Sequence, residues 1–576
     1  MNSTSVQRIV KSRRDYNTWV ANETLEDYAL RYTPQSFRRW SEFSIANTAL
    51  GAVSFLALEA IGAAITVSYG VTNALWAIAV VALVIFLTGL PIGYYSAKYG
   101  VDMDLLTRGA GFGYIGSTIT SLIYASFTFI FFAIEASIMA QAVEMVWGVP
   151  LAWGYVLCSV VIIPLVIHGV TLLGRVQAWT QPLWGVLMAL PFIAILLKEP
   201  QAVSRLLSFD AGLPQGGQFD WVLFGSAATI AFSLIAQIGE QVDFLRFLPQ
   251  AQPGRKARWW SAMLLAGPGW VLMGALKMLG GALLAFLLIE KGLPAAEAVE
   301  PTQMYLLAFG YVFSDPRWVI GATALFVLVS QVKINLTNAY AGSLAWSNFF
   351  SRLTHHHPGR VVWVVFNVLI ALLLMEIGVF AALKEVLALY SMVAISWIGA
   401  LVSDLVINKP LGLSPKHIEF KRAHLYDINP VGVGAMGIAT LLSLLALSGA
   451  FGSVAAALAP FIALLAAIAL AIVVIAVLGL GLWTWSGREG SLAGTLRLLA
   501  AVLPAKLSLH STGVQGSLRH GGRIGQLDWQ QDEVSLRLTD VRLELDAQRL
   551  LQGELPLHQL HLAELRGQSR ASTTPQ

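Results

Sequence analysis

The sequence predicts an all-α polytopic membrane protein, and three observations predict it. Of 576 residues, 56% are hydrophobic and only 12% are charged, about half the charge of an ordinary soluble domain. Mean hydropathy is +0.67. Apolar windows of the roughly 20 residues needed to cross a bilayer recur from Phe43 onward, separated by short polar turns. Twelve can be placed, at about 43–69, 72–98, 115–147, 150–173, 177–198, 219–247, 259–289, 318–349, 361–380, 385–408, 430–450 and 453–484. They are numbered helices 1 to 12 below.

The stretch up to Trp40 is polar and lacks the apolar core of a signal peptide, so helix 1 is expected to act as an uncleaved insertion signal. Basic residues gather in four places. These are the leader (Arg8, Lys11, Arg13, Arg14, Arg38, Arg39) and the loops after helix 6 (Arg255, Lys256, Arg258), helix 8 (Arg352, Arg360) and helix 10 (Lys409, Lys416, Lys421, Arg422). With twelve crossings all four lie on one side, whereas the loop EKGLPAAEAVEP after helix 7 leans acidic. The positive-inside rule then predicts a multi-pass protein of the inner (plasma) membrane with a cytoplasmic N-terminus.

A single cysteine, Cys158, excludes an intrachain disulfide and a thiolate metal cluster. No Walker-type glycine loop, HExxH or GxSxG motif is present, so no catalytic chemistry, cofactor or resident metal is expected. His355, His356 and His357 fall in a turn beside Pro358 and read as a solvated loop rather than a metal site. No nucleic-acid partner is expected.

Six ionisable residues interrupt the apolar windows: Glu59, Glu135, Glu240, Asp243, Lys333 and Asp404. Each is expensive in lipid, so each is expected to face a polar interior or pathway, which is the pattern of a transporter. In helix 6, IAQIGEQVDFLRF sets Gln237, Glu240, Gln241 and Asp243 around Gly239. A glycine among polar side chains at membrane depth suits a broken helix. The plainer reading pairs Asp243 with Arg246, three residues on, as structure. Gly62 is a candidate break point in helix 1. Glu59 is expected to pair with Lys333 across the site or to meet a cationic group of the substrate, while Lys277 and Asp404 are expected in structural pairs. His168 reads as a satisfied core residue.

Four stretches carry a resemblance: VDFLRF (Val242 to Phe247), SAKYGVDMDLLTRGAGFGYIGS (Ser96 to Ser117), NAYAGSLAWSNFF (Asn338 to Phe350) and ALVSDLVI (Ala400 to Ile407). In order and spacing they are similar to the nucleobase:cation symporter-1 family, the purine-cytosine permeases, over about residues 35–470. The resemblance implies a five-plus-five inverted repeat of the LeuT-like kind, helices 1–5 (about 43–198) and 6–10 (about 219–408), with helices 11 and 12 appended. It also implies a flat heterocycle bound between helices 1, 3, 6 and 8. It places Phe131, Glu135, Leu234, Glu240, Asn338 and Glu59 at the substrate.

Departures from the family pattern matter as much. FFAIE (Phe131 to Glu135) stands where the family shows Trp-Phe-Gly-x-Gln, so a carboxylate replaces an amide, and an ionised carboxylate accepts but cannot donate. Leu234 falls where a stacking aromatic is usual. Helix 8 reads KIN (Lys333 to Asn335) where sodium-coupled relatives place two hydroxyl residues before Asn. The resemblance implies uptake of a nucleobase or related nitrogen heterocycle by alternating access. The departure in helix 8 is read as Lys333 substituting for the coupling sodium, so coupling is expected to be to protons, through Lys333 or Glu135, rather than to sodium. A cationic, thiamine-like heterocycle, a ligand sensor and an envelope-assembly role are the alternatives.

Residues 485–576 break the pattern. VSLRLTDVRLEL (Val534 to Leu545) alternates with strand period. With IVVIAVLGLGLWTW (Ile472 to Trp485) before it, the segment resembles the start of the TamB family, inner-membrane subunits of the translocation and assembly module. That resemblance implies a periplasmic tail, whereas twelve crossings return it to the cytoplasm. The conflict is that of a gene fusion, a frame or assembly artefact, or a vestigial tail. A short α/β-rich tail of doubtful order, poorly packed, is expected.

Overall fold

The computed structural model describes residues 27–378, 383–419, 421–503, 507–531, 534–545 and 557–569. Most of the basic leader, including Arg8, Lys11, Arg13 and Arg14, lies outside them. Contacts divide the chain into two units, residues 1–472 and 473–576.

The first unit is helical, and its helices coincide with the twelve windows. Helix 1 is two pieces, Glu42–Gly51 and Ala57–Tyr69, joined by a 3-10 turn at Ala52–Ser54 and bent by 47°. Helices 2 to 5 are Val71–Tyr99, Ser117–Trp147, Leu151–Ile167 and Gly169–Lys198. Helix 6 is again broken, into Trp221–Ala231, a 3-10 stretch Phe232–Gln237, and Ile238–Leu245. Helix 7 is Lys256–Ala266 and Trp270–Glu290, helix 8 Pro316–Leu353, helix 9 Arg360–Glu376, and helix 10 Leu383–Ser403 with a wider turn at Asp404–Asn408. Helices 11 and 12 are Pro430–Leu447 and Ala459–Ser486. By length and apolarity, nine helices plus the bent pair qualify as spans among the described residues. Helices 4 and 9 are 17 residues each, at the short end of the roughly 17–25 that cross a bilayer. The protein is a membrane protein with two five-helix repeats, each opening on a broken helix.

Local chemistry sets the ends. Asp220 accepts from the Val222 and Leu223 amides to start helix 6, Asp315 caps helix 8 with Pro316 at its first position, and Asn429 does the same before Pro430. Helices 2 and 3 stop at Gly100 and Gly148, both left-handed, at φ +70° and +64°.

Burial sorts centre from periphery. The most apolar windows of helices 3 and 6 are 78% and 83% buried, against 17% for helices 5 and 12 and 33% for helix 11. Helices 3 and 6 therefore form the middle of the bundle, and the outer helices present leucine, valine and tryptophan to lipid. Helix 1 crosses helix 7 at two glycines. A Cβ on Gly62 would sit 2.0 Å from the Met278 carbonyl oxygen, and one on Gly281 would sit 2.1 Å from that of Glu59. Gly62 is thus a packing point and not the break, because backbone against backbone leaves no room to yield. Replacing Gly62 with leucine is expected to cost at least the 1–3 kcal/mol typical of overpacking, read as a lower melting temperature in detergent.

In the second unit, strands β1 (Leu507–Ser517), β2 (Gly521–Gln531), β3 (Val534–Leu545), β4 (Leu557–His561) and β5 (Glu564–Ser569) form an antiparallel sheet. Its order is β1-β2-β3-β4, and β5 also pairs with β3. The helix Ser491–Val502 packs on β1, and Leu492, Ile524 and Val541 make a small core. The alternation in Val534–Leu545 produced a strand as expected, and helix plus sheet give the tail its own three-residue apolar centre.

Candidate functional site

The site is built around the gap in helix 1. At Phe55 the backbone leaves helical geometry, with φ −60° and ψ 137°. The first half-helix therefore ends in free carbonyls and the second begins in free amides, which must be satisfied at membrane depth. Neighbouring helices supply one charge for each. Lys277 of helix 7 donates to the carbonyl oxygens of Val53, Ser54 and Phe55 at 3.2, 3.0 and 2.8 Å. Glu135 of helix 3 accepts from the amides of Leu56 and Ala57, each at 3.1 Å. The ammonium faces the negative end of one helix dipole and the carboxylate the positive end of the other.

Glu59 completes the group. Its Oε2 lies 3.4 Å from Lys277 Nζ, and its Oε1 accepts from the Tyr305 hydroxyl at 2.9 Å. Trp184 of helix 5 places its ring 5.6 Å from the same ammonium. Glu59, Glu135 and Lys277 are all fully buried. The partner of Glu59 is therefore Lys277 and not Lys333. The signal for this was already in the sequence: a lysine well inside an apolar segment must find oxygen ligands.

Lys333 takes another direction. Its ammonium donates to Gln181 Oε1 at 2.9 Å, Thr180 Oγ1 at 3.1 Å and the Gln177 carbonyl at 3.4 Å, all on helix 5. Gln177 returns a bond to the Lys333 carbonyl at 3.0 Å. Lys333 thus ties helix 8 to helix 5, away from the helix-1 carbonyls.

A different face of helix 8 carries Gln331, Asn335 and Asn338, spaced i, i+4, i+7. Asn338 donates to Asn335 Oδ1 at 3.4 Å. Among the described residues, both polar atoms of the Gln331 amide, Asn335 Nδ2 and Asn338 Oδ1 find no hydrogen-bond partner, although all three residues are fully buried. Gln331 lies beside Glu135 without closing a bond to it. In helix 6, Gln237 donates to Glu240 Oε2 at 2.8 Å, while Glu240 Oε1 is unpaired. The break in helix 6 is Phe232–Gln237, ahead of Gly239. Gly239 is needed for a different reason, since a Cβ there would lie 2.4 Å from the Tyr124 ring.

Phe131 is buried on helix 3, with its ring 4.5 Å from that of Phe127 and edge-on to Phe55 at 6.2 Å. Phe55 sits in the helix-1 gap, so the aromatic group and the charged group meet there. Leu234 is buried within the 3-10 stretch of helix 6. Gln331 and Asn335 were not singled out from sequence, although their amide spacing on one helical face was a readable sign.

An unpaired buried polar group costs about 1–3 kcal/mol, so natural proteins keep few of them without a use. Gln331→Leu is accordingly expected to leave melting temperature unchanged or raised, whereas Asn338→Leu, which also takes the donor from Asn335 Oδ1, is expected to lower it slightly. If these amides meet the ligand proposed below, its affinity should fall roughly 10- to 100-fold in either variant, measured by binding to purified protein. A loss of stability equal to the loss of binding would assign these amides to structure.

The Asp243 and Arg246 pair is arranged differently from the sequence reading. Arg246 Nε donates to the backbone carbonyl of Asp243 at 3.1 Å, not to its carboxylate. Its other nitrogens reach the Tyr340 hydroxyl at 2.8 Å and Asp102 at 3.6 Å. The Asp243 carboxylate accepts from Tyr124 at 2.8 Å. The reason is geometric: Arg246 stands at the end of helix 6, where the loop carboxylate Asp102 and helix 8 come within reach. Asp404 pairs with Lys409 at 3.4 Å across the wide turn of helix 10.

The fold is shared with solved transporters. The chain superposes on Mhp1, a nucleobase-cation-symport-1 family transporter in a closed conformation with bromovinylhydantoin bound, with a TM-score of 0.58 and 18% identity, covering 79% of this chain and 96% of that one. Inward-facing Mhp1 gives a TM-score of 0.59 at 17% identity, over 78% and 93%. A Na+-coupled sialic acid symporter in a substrate-bound, outward-open state gives 0.53 at 13% identity, over 79% and 94%. No family model and no curated protein matches by sequence. At these identities the likeness shows the architecture, five-plus-five repeats with two broken helices, and the fold class expected from sequence holds.

Proposed function

We propose that this protein is a secondary transporter that carries a nucleobase or a related nitrogen heterocycle by alternating access, with protons rather than sodium as the coupling ion. One observation supports this most. The two ends of the broken helix 1, where such folds receive an anionic group and a cation, are held by Glu135 and Lys277 of the chain itself. A substrate carboxylate has no free half-helix amides to meet at Leu56 and Ala57, which favours a ligand without one. Phe131 and Phe55 offer aromatic faces, and the unpaired amides Gln331, Asn335 and Asn338 offer both donors and acceptors. Those are what a flat heterocycle with ring N–H and C=O groups requires.

The sialic acid symporter is Na+-coupled, and the reading proposed for this chain differs on that point. Helix 8 carries Lys333 and Ile334 where hydroxyls are expected for a hard cation, and the helix-1 carbonyls already hold an ammonium. Lys333 and Glu135 remain the titratable groups proposed for coupling. A cationic heterocycle is the second reading, favoured by Glu240, which has no cationic side chain in ion-pairing range among the described residues.

The test is ligand binding to purified protein, by thermal shift, across a panel of nucleobases, hydantoin-like rings, thiamine-like cations and amino acids. Stabilisation by an uncharged or cationic ring and none by amino acids is expected. Stabilisation by carboxylates alone would overturn the reading.

A further inference from the structure

The polar group in the helix-1 gap has the make-up of a cation site with its ion supplied by the chain. Three backbone carbonyl oxygens, of Val53, Ser54 and Phe55, converge on one point with distances of 3.2, 3.0 and 2.8 Å to Lys277 Nζ. The Glu59 carboxylate adds a fourth oxygen at 3.4 Å. Among the described residues that oxygen makes no hydrogen bond elsewhere, and its ion-pair partner is the lysine. Backbone carbonyls plus one carboxylate are the donor set that hard cations select, and rings of carbonyls replace the hydration shell of monovalent ions in channels. The point is fully buried and lies where a helix dipole ends in negative charge.

We propose that Lys277 is a tethered co-ion: its ammonium fills a monovalent-cation site formed by the Val53, Ser54 and Phe55 carbonyls and Glu59, so that this site needs no dissociable cation. The inference rests on the transporter reading above and deepens it. A bound metal ion can leave on either side of the membrane and carry its gradient with it. An ammonium fixed to helix 7 gives the same electrostatic support to helix 1, yet it moves with the protein and transports nothing. The oxygen distances exceed the roughly 2.0–2.6 Å at which magnesium and calcium bind oxygen, so with the lysine removed the cage suits a large monovalent ion, potassium or ammonium.

The test uses the full chain, purified in detergent, and needs no substrate. Melting temperature is measured for the wild type, Lys277→Ala and Lys277→Ser in choline, sodium, potassium and ammonium chloride at fixed ionic strength. The wild type is expected to give the same value in all four. Both variants are expected to melt lower in choline and to gain a saturable upward shift with potassium or ammonium. A variant recovered folded only when potassium or ammonium is present counts the same way. A saturable cation response in the wild type overturns the proposal. So do variants that respond to no cation, or that stay unfolded in every salt. If this response is found while no heterocycle binds, the co-ion assignment stands and the substrate reading falls.

Discussion

Lys277→Ala should be the most damaging single substitution in the transmembrane unit, lowering stability in cation-free buffer by about 3–5 kcal/mol, the range for removing one partner of a buried ion pair. The loss has two parts. Glu59 is left as an uncompensated buried carboxylate, and three helix-1 carbonyls lose their donor. These can be separated. The double variant Lys277→Met with Glu59→Gln removes the unpaired charge, keeps an amide for Tyr305 to donate to, and leaves the carbonyls bare. It should therefore melt between the wild type and Lys277→Ala. Chemical denaturation in mild detergent, or steric trapping in bicelles, measures the order. A single variant as stable as the wild type would mean that Lys277 only fills space near Trp184.

Glu135→Ala comes second. Two amide bonds to a carboxylate are lost, and at about 1.5–3 kcal/mol for each hydrogen bond to a charged group the cost should reach roughly 2–4 kcal/mol after local relaxation. Glu135→Gln keeps one acceptor oxygen and turns an N–H2 toward a backbone N–H, so about half of that loss is expected. The two variants also separate holding helix 1 from coupling. If Glu135 only caps the second half-helix, Gln should retain pH-dependent uptake at a reduced rate. If Glu135 also carries the coupled proton, Gln should abolish the pH dependence while still folding. Uptake measured from pH 5 to pH 8 distinguishes these outcomes.

What the sequence made legible follows from the physics that made it so. Span positions depend on apolar length, which the bilayer fixes, and all twelve windows became helices. That helices 1 and 6 are broken was readable from polar residues at mid-depth, but the break points were not. Glycine was the cue at Gly62 and Gly239, yet in both places it serves close packing. The chain parts at Phe55 and at Phe232–Gln237 instead, where nothing in the local sequence forbids a helix. In helix 1 the carbonyls and amides thus exposed are met from helices 3 and 7, a long-range cause that propensity cannot report.

The site divided in the same way. Glu59 and Glu135 stood out as buried charges, and both are at the helix-1 gap. Lys277 was assigned to a structural pair, and its ion pair with Glu59 is there, but its three carbonyl contacts depend on where helix 1 breaks. Lys333, read from the sequence as the substitute for a coupling sodium, faces helix 5 instead.

The helix-1 gap is closed by the protein's own charges, and we propose on that ground that transport needs no sodium. The most direct measurement is uptake of the ligand found by the binding panel into proteoliposomes, with a sodium gradient and a proton gradient imposed separately at clamped membrane potential. The prediction is accumulation driven by the proton gradient and unchanged when sodium is replaced by choline. Accumulation that requires sodium, and is indifferent to the proton gradient, would contradict it.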